Sequence, residues 1–310
     1  MAAAARTAER SPVTVELQDL IRAKPAGESI ALTTPRVRAF ASGGHLSPFK
    51  GRGVEFDESR PYQAGDDLRT IDWRVTARTG KPYTKVFREE RNRPVIVWLD
   101  LRRPMHFATR GAYKSVLAAN AAALIAWSAV ANGDQLGGLV FSEYEHHELR
   151  PRLGRHAALR LLQLIAGNPC WRPAGAEAAP ESDAERSLLR LTRVARPGSM
   201  MFLLSDFRSF DAEDEKYVRQ LASHGDLFLI HVFDPLEAEL PPPGRYRIRQ
   251  GERAFAIETQ DPGARARYRD RFAARVARLQ ALARVPGVSV IECATTDNPY
   301  TVLTKRFAAT

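Results

Sequence analysis

Four polar residues stand directly after short apolar runs: Asp100 after Val95–Leu99, Ser142 after Leu136–Phe141, Asp206 after Met200–Ser205 and Asp234 after Leu227–Phe233. Carboxylate and hydroxyl oxygens at such points could hold a hard divalent cation such as Mg²⁺, which prefers oxygen donors. The position suits the purpose, because ligands of open α/β sheets bind beyond the carboxyl ends of the strands. Asp100 and Asp206 are the two carboxylates best placed for it.

Other chemistry is incompletely specified. An aspartyl phosphotransferase would need a second carboxylate two residues after Asp100, and the chain has Arg102 there. Gly51, Arg52 and Gly53 lack the third glycine of a dinucleotide fingerprint, and Gly80-Lys81-Pro82 puts proline where a phosphate loop needs Ser or Thr. His146, His147 and Glu148 are metal-ligand types, but neighbours on a strand point to opposite faces. Ser205 beside Asp206 has no histidine at a defined spacing to activate it. With no complete constellation in view, the chain is expected not to be an enzyme.

The elements that must position these residues follow from periodicity. From Pro94 onward, apolar runs of strand length alternate with helical patterns: strands at Val95–Leu99, Leu136–Phe141, Met200–Ser205, Leu227–Phe233 and Val288–Glu292, and helices near Lys114–Ala131, Arg155–Ile165, Ser182–Val194, Glu213–Ser223 and Ala264–Arg284. Ser182 and Asp183 can cap the third helix. In the last, Tyr268, Phe272, Val276, Leu279 and Leu282 form an apolar stripe. His147–Pro151 reads as an edge strand, Arg245–Arg249 with Ala254–Glu258 as a hairpin, and Thr301–Phe307 as a closing helix. Such alternation implies parallel strands covered on both faces. Three regions result: 1–45, a loose arm with a short helix around Val15–Ile21; 46–93, a β-rich extension; and 94–310, an α/β domain.

Composition excludes several classes. The chain has 310 residues, 44% hydrophobic and 26% charged, a soluble globular profile with room for a full core. Val116–Ala131 is mostly alanine, with Asn120 and Ser128 inside it, and reads as a buried helix rather than a membrane span. Met1–Arg6 lacks the apolar stretch of a secretory signal. Two cysteines, Cys170 and Cys293, make neither a zinc site nor a disulfide framework. The expected location is the cytoplasm. Net charge is +10, with an arginine excess between Arg245 and Arg284. Without interleaved aromatic residues or a groove-reading motif, that excess is expected to be a solvated helix face rather than a nucleic-acid site.

Two groups of residues carry a resemblance. Val95–Leu101, Lys114–Ala131, Gly133-Asp134-Gln135-Leu136-Gly137 and Leu203–Phe207 resemble the von Willebrand factor A fold. Upstream, Gly51–Phe56, the run Arg60–Trp73 containing Gly65-Asp66-Asp67, Arg69 and Ile71-Asp72-Trp73, and Ala77-Arg78 look like the signature of the bacterial "domain of unknown function 58" family. The resemblance implies a von Willebrand factor A-like (Rossmann-like), mainly parallel sheet with helices on both faces, plus a β-rich N-terminal extension. It also implies a non-catalytic, chaperone-like adaptor that works with a MoxR-type AAA+ ATPase, and with other von Willebrand A-domain proteins, in assembly or maturation of protein complexes. No small-molecule substrate or membrane span is implied.

In that fold a metal-dependent adhesion site uses Asp-x-Ser-x-Ser after the first strand, with a threonine and an aspartate from later loops. Here the loop reads Asp100-Leu101-Arg102-Arg103-Pro104, so Arg102 and Pro104 replace both serines; Asp206 matches the late aspartate and Ser182 is a stand-in for the threonine. The expectation is a degenerate site with no cofactor and no Mg²⁺, Arg102 pairing with Asp100 or Asp206 in the ion's place; if any metal bound, Asp100 and Asp206 would hold it. The expected partner-binding face comprises Asp100, Arg102, Arg103, Ser142 and Asp206. The signature residues Glu55, Tyr62, Gly65, Asp66, Asp67, Arg69, Asp72 and Trp73 are expected to be structural, with the Trp73 indole packed. Metal-dependent adhesion, and nucleic-acid binding through the arginine-rich C-terminal region, are the alternative readings.

Overall fold

The structure is a computed structural model that describes residues 11–32, 54–63, 68–89, 93–172, 184–250 and 253–308. The chain divides into two compact units, one from Met1–Phe40 with Arg93–Thr310 and one from Ala41–Asn92. The first begins with two short helices, α1 (Leu17–Arg22) and α2 (Lys24–Glu28).

The smaller unit pairs β1 (Val54–Pro61) antiparallel with β2 (Tyr83–Glu89), and α3 (Trp73–Thr79) lies between them in sequence. Asp72 caps α3, its Oδ1 accepting from the N–H groups of Arg74 at 3.1 Å and Val75 at 3.2 Å. The Ser59 hydroxyl donates to Asp72 Oδ2 at 2.8 Å and, with those backbone bonds, holds the carboxyl below its ordinary range. Gly80 closes the helix at φ 69°, a conformation that costs glycine nothing. Tyr62 donates its N–H to Pro82 at 2.9 Å, and Glu55 lies opposite Arg88 in the register. The Trp73 indole is not packed as expected but 71% exposed, so the signature splits: Asp72 holds the local fold and its neighbour does not. Gly65, Asp66 and Asp67 lie outside the described residues.

The larger unit continues with β3 (Pro94–Asp100), α4 (Lys114–Ala131), β4 (Gln135–Phe141), β5 (His146–Arg152), α5 (Arg155–Ala166), α6 (Ala184–Val194) and β6 (Ser199–Ser205). It is completed by α7 (Ala212–His224), β7 (Gly225–Phe233), α8 (Pro235–Ala238), the hairpin of β8 (Arg245–Gln250) and β9 (Arg253–Glu258), α9 (Pro262–Leu282), β10 (Val288–Ala294) and α10 (Pro299–Phe307). Six strands form one sheet in the order β10-β7-β6-β3-β4-β5, parallel except for the edge strand β5. This is the mainly parallel α/β sheet, with helices on both faces, that the sequence led us to expect. Side chains alternate across it. Val95, Val97 and Leu99 join one core with α4, α5 and α10, while Ile96 and Trp98 join the other with α6, α7 and α9.

The strand order reverses between β3 and β6: from β3 the chain builds outward through β4 and β5, and from β6 through β7 and β10. Such a reversal opens a crevice at the carboxyl ends of the two strands. Asp100 ends β3, and Asp206 directly follows β6.

Helix α4 is buried on nearly every side, and although long and apolar enough by length and composition to cross a membrane, it has 83% of that stretch buried inside the fold. Residues 11–32, the described part of the stretch expected to be a loose arm, pack onto it. Trp127 Nε1 donates to the Leu20 carbonyl at 3.0 Å and Ser128 Oγ to the Ile30 carbonyl at 2.5 Å. Gly27 permits this approach, since a Cβ there would lie 2.6 Å from the Trp127 Cβ. Of the stripe expected on α9, Leu279 and Leu282 are buried and Tyr268, Phe272 and Val276 are half-buried.

Candidate functional site

Asp100 is 1% exposed and fully engaged by its own chain. Arg102 grips it like a fork, Nε donating to Oδ1 at 2.9 Å and Nη2 to Oδ2 at 2.6 Å. The Arg102 N–H adds a bond to Oδ1 at 3.0 Å, and Ser205 Oγ, from the neighbouring strand, donates to Oδ2 at 2.7 Å. A planar guanidinium suits a carboxylate bidentately in a way lysine cannot. Burial opposes the charge on Arg102, but Asp100 overcomes that and raises its pKa. The guanidinium also lies 5.5 Å from the centre of the Phe141 ring.

Asp206 has a second internal cation. Lys114, in the first turn of α4 and 0% exposed, places Nζ 2.7 Å from Asp206 Oδ2 and 2.6 Å from Glu237 Oε1. The Arg208 N–H takes Asp206 Oδ1 at 3.0 Å. Burial alone would raise the Asp206 carboxyl, but the ammonium and these hydrogen bonds hold it below its ordinary range. Glu237, on α8, gathers two more cations: Arg208 Nη2 lies 2.6 Å from its Oε1, and Arg275 Nη1, from α9, 3.9 Å from its Oε2. Under this cluster His231 is fully buried on β7, its ring 5.3 Å from that of Phe233 and its nitrogens without hydrogen-bond partners among the described residues. Burial, reinforced by the Arg275 charge, lowers its pKa to about 4.

The expected face is thus only partly assembled as the sequence suggests. Asp100, Arg102 and Asp206 stand at the reversal point. Ser142 is buried and turned to local use, its Oγ accepting from the N–H groups of Tyr144 and Glu145 at 3.2 Å each. Arg103 is exposed, and its N–H donates to Glu143 Oε1 at 2.5 Å. Asp234 braces loops: it accepts from Thr109 Oγ1 at 2.7 Å, Thr295 Oγ1 at 2.7 Å and the Leu236 N–H at 2.9 Å. Ser182, the stand-in for the threonine, lies outside the described residues. Among the described residues no group of three or more His, Cys, Asp or Glu is placed to hold a metal ion. Cys170 and Cys293 are free, and burial raises both thiols, that of Cys293 to about 12.

Sequence reasoning missed Lys114, Arg208, Glu237 and Arg275. A signal existed for the first: Lys114 is the only charged residue in a long, mostly apolar helix. A charge that enters such an element needs a partner.

The chain belongs to the family described as protein of unknown function DUF58, whose profile matches residues 58–281. Uncharacterized proteins of Mycobacterium tuberculosis (Rv1480) and Mycobacterium bovis (Mb1516) are each 32% identical over 230 residues, covering 72% of this chain and 71% of the relative. Two solved structures are distantly similar in shape. An aerotolerance-related membrane protein from Bacteroides fragilis has a TM-score of 0.43 at 14% identity, over 70% of this chain and 96% of that one. BatB from Bacteroides thetaiotaomicron has a TM-score of 0.41 at 12% identity, over 70% of this chain and 97% of that one.

Proposed function

We propose that this chain is a non-catalytic protein-interaction module whose strand-end face engages a partner protein, with a MoxR-type AAA+ ATPase as the partner class and complex assembly or maturation as the task. One observation carries the reading: each carboxylate at the strand-order reversal is saturated by a cation of the same chain, Arg102 on Asp100 and Lys114 on Asp206. Groups so engaged are neither free bases nor nucleophiles. They make a rigid charged platform.

The same pairs argue against a resident dication. Metal ligands would have to come from oxygens that already accept from a guanidinium or an ammonium. Two unit charges of like sign 4 Å apart repel by about 4 kcal/mol at an effective dielectric of 20, and a doubly charged ion by about twice that. The donor set therefore does not fit Mg²⁺, and the partner is gripped by direct contacts. The resemblance to von Willebrand A-like adaptors supports the choice of an ATPase.

Arg103 and Tyr144 are exposed beside this crest, Tyr144 on the turn between β4 and β5. Affinity purification of the tagged chain from its native cell, with and without ATP, should recover an AAA+ ATPase. The double variant Arg103→Ala/Tyr144→Ala should lose it while unfolding at the wild-type temperature. Equal recovery by wild type and variant would remove this face from the interaction, and turnover of a small substrate by the purified chain would overturn the non-catalytic assignment.

A further inference from the structure

Beside the Lys114 cluster, a cleft of about 480 Å³ opens between the loop after β6, the helix α8 and the face of α9. It lies at the carboxyl ends of β6 and β7, where sheets of this kind take ligands, and its size falls in the usual range for small-molecule sites, about 300–1,000 Å³. Its walls are aromatic, with Phe210 on the loop and Tyr268 and Phe272 on α9.

The charges lining it do not balance. Two cations in the lining, Arg208 and Arg275, meet one carboxylate, Glu237, while Lys114 and Asp206 are buried behind it and pair with each other. Arg271, also in the lining, is exposed and has no hydrogen bond or ion pair among the described residues. Arg278 contributes no excess, since it pairs with Glu215 at 3.6 Å. Two positive charges are left facing the cleft. At its floor, Glu237 Oε2 and Arg275 Nη1 are buried 3.9 Å apart, and neither has a hydrogen-bond partner among the described residues.

The loop wall is held in place. Phe207 adopts φ 49°, a left-handed conformation uncommon for a bulky residue and frequent at ligand clamps. Arg278 Nη1 donates to the Phe210 carbonyl at 2.5 Å, tying the loop to α9.

We propose that this cleft binds a phosphate monoester carried on a flat ring, either a nucleoside monophosphate or an aryl phosphate. Charge decides between anions: a carboxylate offers one negative charge, whereas a phosphate monoester carries about 1.5 to 2 at neutral pH and matches the surplus. Guanidinium groups suit its oxygens in a bidentate manner, and the aromatic walls take the ring.

Calorimetric titration of the purified full chain with phenyl phosphate, adenosine monophosphate, benzoate, adenosine and inorganic phosphate tests this. At least one ring-bearing phosphate should bind tenfold or more tightly than benzoate, adenosine and inorganic phosphate. Arg271→Ala should weaken it tenfold or more, and Arg160→Ala, an exposed arginine on α5, should not. Thermal unfolding of both variants checks the fold. Stronger binding of adenosine monophosphate assigns a nucleotide, and stronger binding of phenyl phosphate an aryl phosphate. Inorganic phosphate binding as well as the ring-bearing compounds, an unchanged Arg271→Ala, or no binding at millimolar concentration would each overturn the proposal.

Discussion

The ammonium of Lys114 lies 2.7 Å from the carboxylate of Asp206, joining the first turn of α4 to the end of β6 across 92 residues of chain. Both side chains are almost completely buried, so each relies on the other to offset the loss of water.

Removing the cation alone should therefore be costly. Lys114→Met leaves two buried carboxylates, Asp206 and Glu237, facing an apolar stub, and the loss should be about 3–5 kcal/mol. The triple variant Lys114→Met/Asp206→Asn/Glu237→Gln removes the stranded charges and should recover more than half of it. Urea unfolding at pH 7 measures both. A Lys114→Met protein within 1 kcal/mol of wild type, taken as about the size of an ordinary neutral hydrogen bond, would show that water reaches the cluster.

How much of this was legible follows from which forces are local. The four inner strands of the main sheet, β7, β6, β3 and β4, stand out as apolar runs because both faces are buried, and Asp100 and Asp206 follow from the rule about strand ends. The Arg102 fork was foreseeable because its partner is two residues away. Glu237 was not, since its contact with Lys114 spans 123 residues and nothing local distinguishes it from a surface acid on a short helix. Residues 11–32 misled in another way: their Ala, Pro and Gly content suggests a loose segment, yet the small residues are what allow close packing, as Gly27 against Trp127 shows.

Arg102 and the metal question can be tested together. Arg102→Ser restores a hydroxyl at an adhesion-type ligand position and should destabilise the fold by about 1.5–3 kcal/mol, the range for a hydrogen bond to a charged group. Added Mg²⁺ should not restore that stability, because Lys114 still occupies Asp206. Thermal unfolding at several Mg²⁺ concentrations reads this directly, since a bound ion raises the midpoint by mass action. A midpoint that climbs with Mg²⁺ in wild type or variant would contradict the metal-free assignment.

His231 predicts how stability responds to acid. Its folded pKa, about 4, lies below the unfolded value near 6.5. The unfolded chain therefore binds a proton that the folded chain refuses, and stability falls as pH drops from about 6.5 to about 4. The full effect is roughly 3 kcal/mol at 1.36 kcal/mol per pKa unit. Asp206 adds a separate loss at lower pH: held below its ordinary value, it contributes stability that disappears as pH falls through its folded pKa. His231→Phe keeps a ring among Phe207, Phe233 and Phe272, and should flatten the decline above pH 4 in urea unfolding. An unchanged slope would place the acid response elsewhere.

Asp72 and Trp73 are adjacent, yet should behave oppositely. Asp72 caps α3 with two backbone bonds and is tied to β1 through Ser59, so Asp72→Ala removes a cap worth about 0.5–2 kcal/mol. Trp73 is 71% exposed, and an exposed side chain clear of such features usually changes stability by no more than about 0.5 kcal/mol. The unit they share is small, so hydrogen exchange of the α3 amides is the sharper measurement: protection should fall in Asp72→Ala and hold in Trp73→Ala. Loss of α3 protection in Trp73→Ala would instead return this residue to the structural role that its place in the signature suggests.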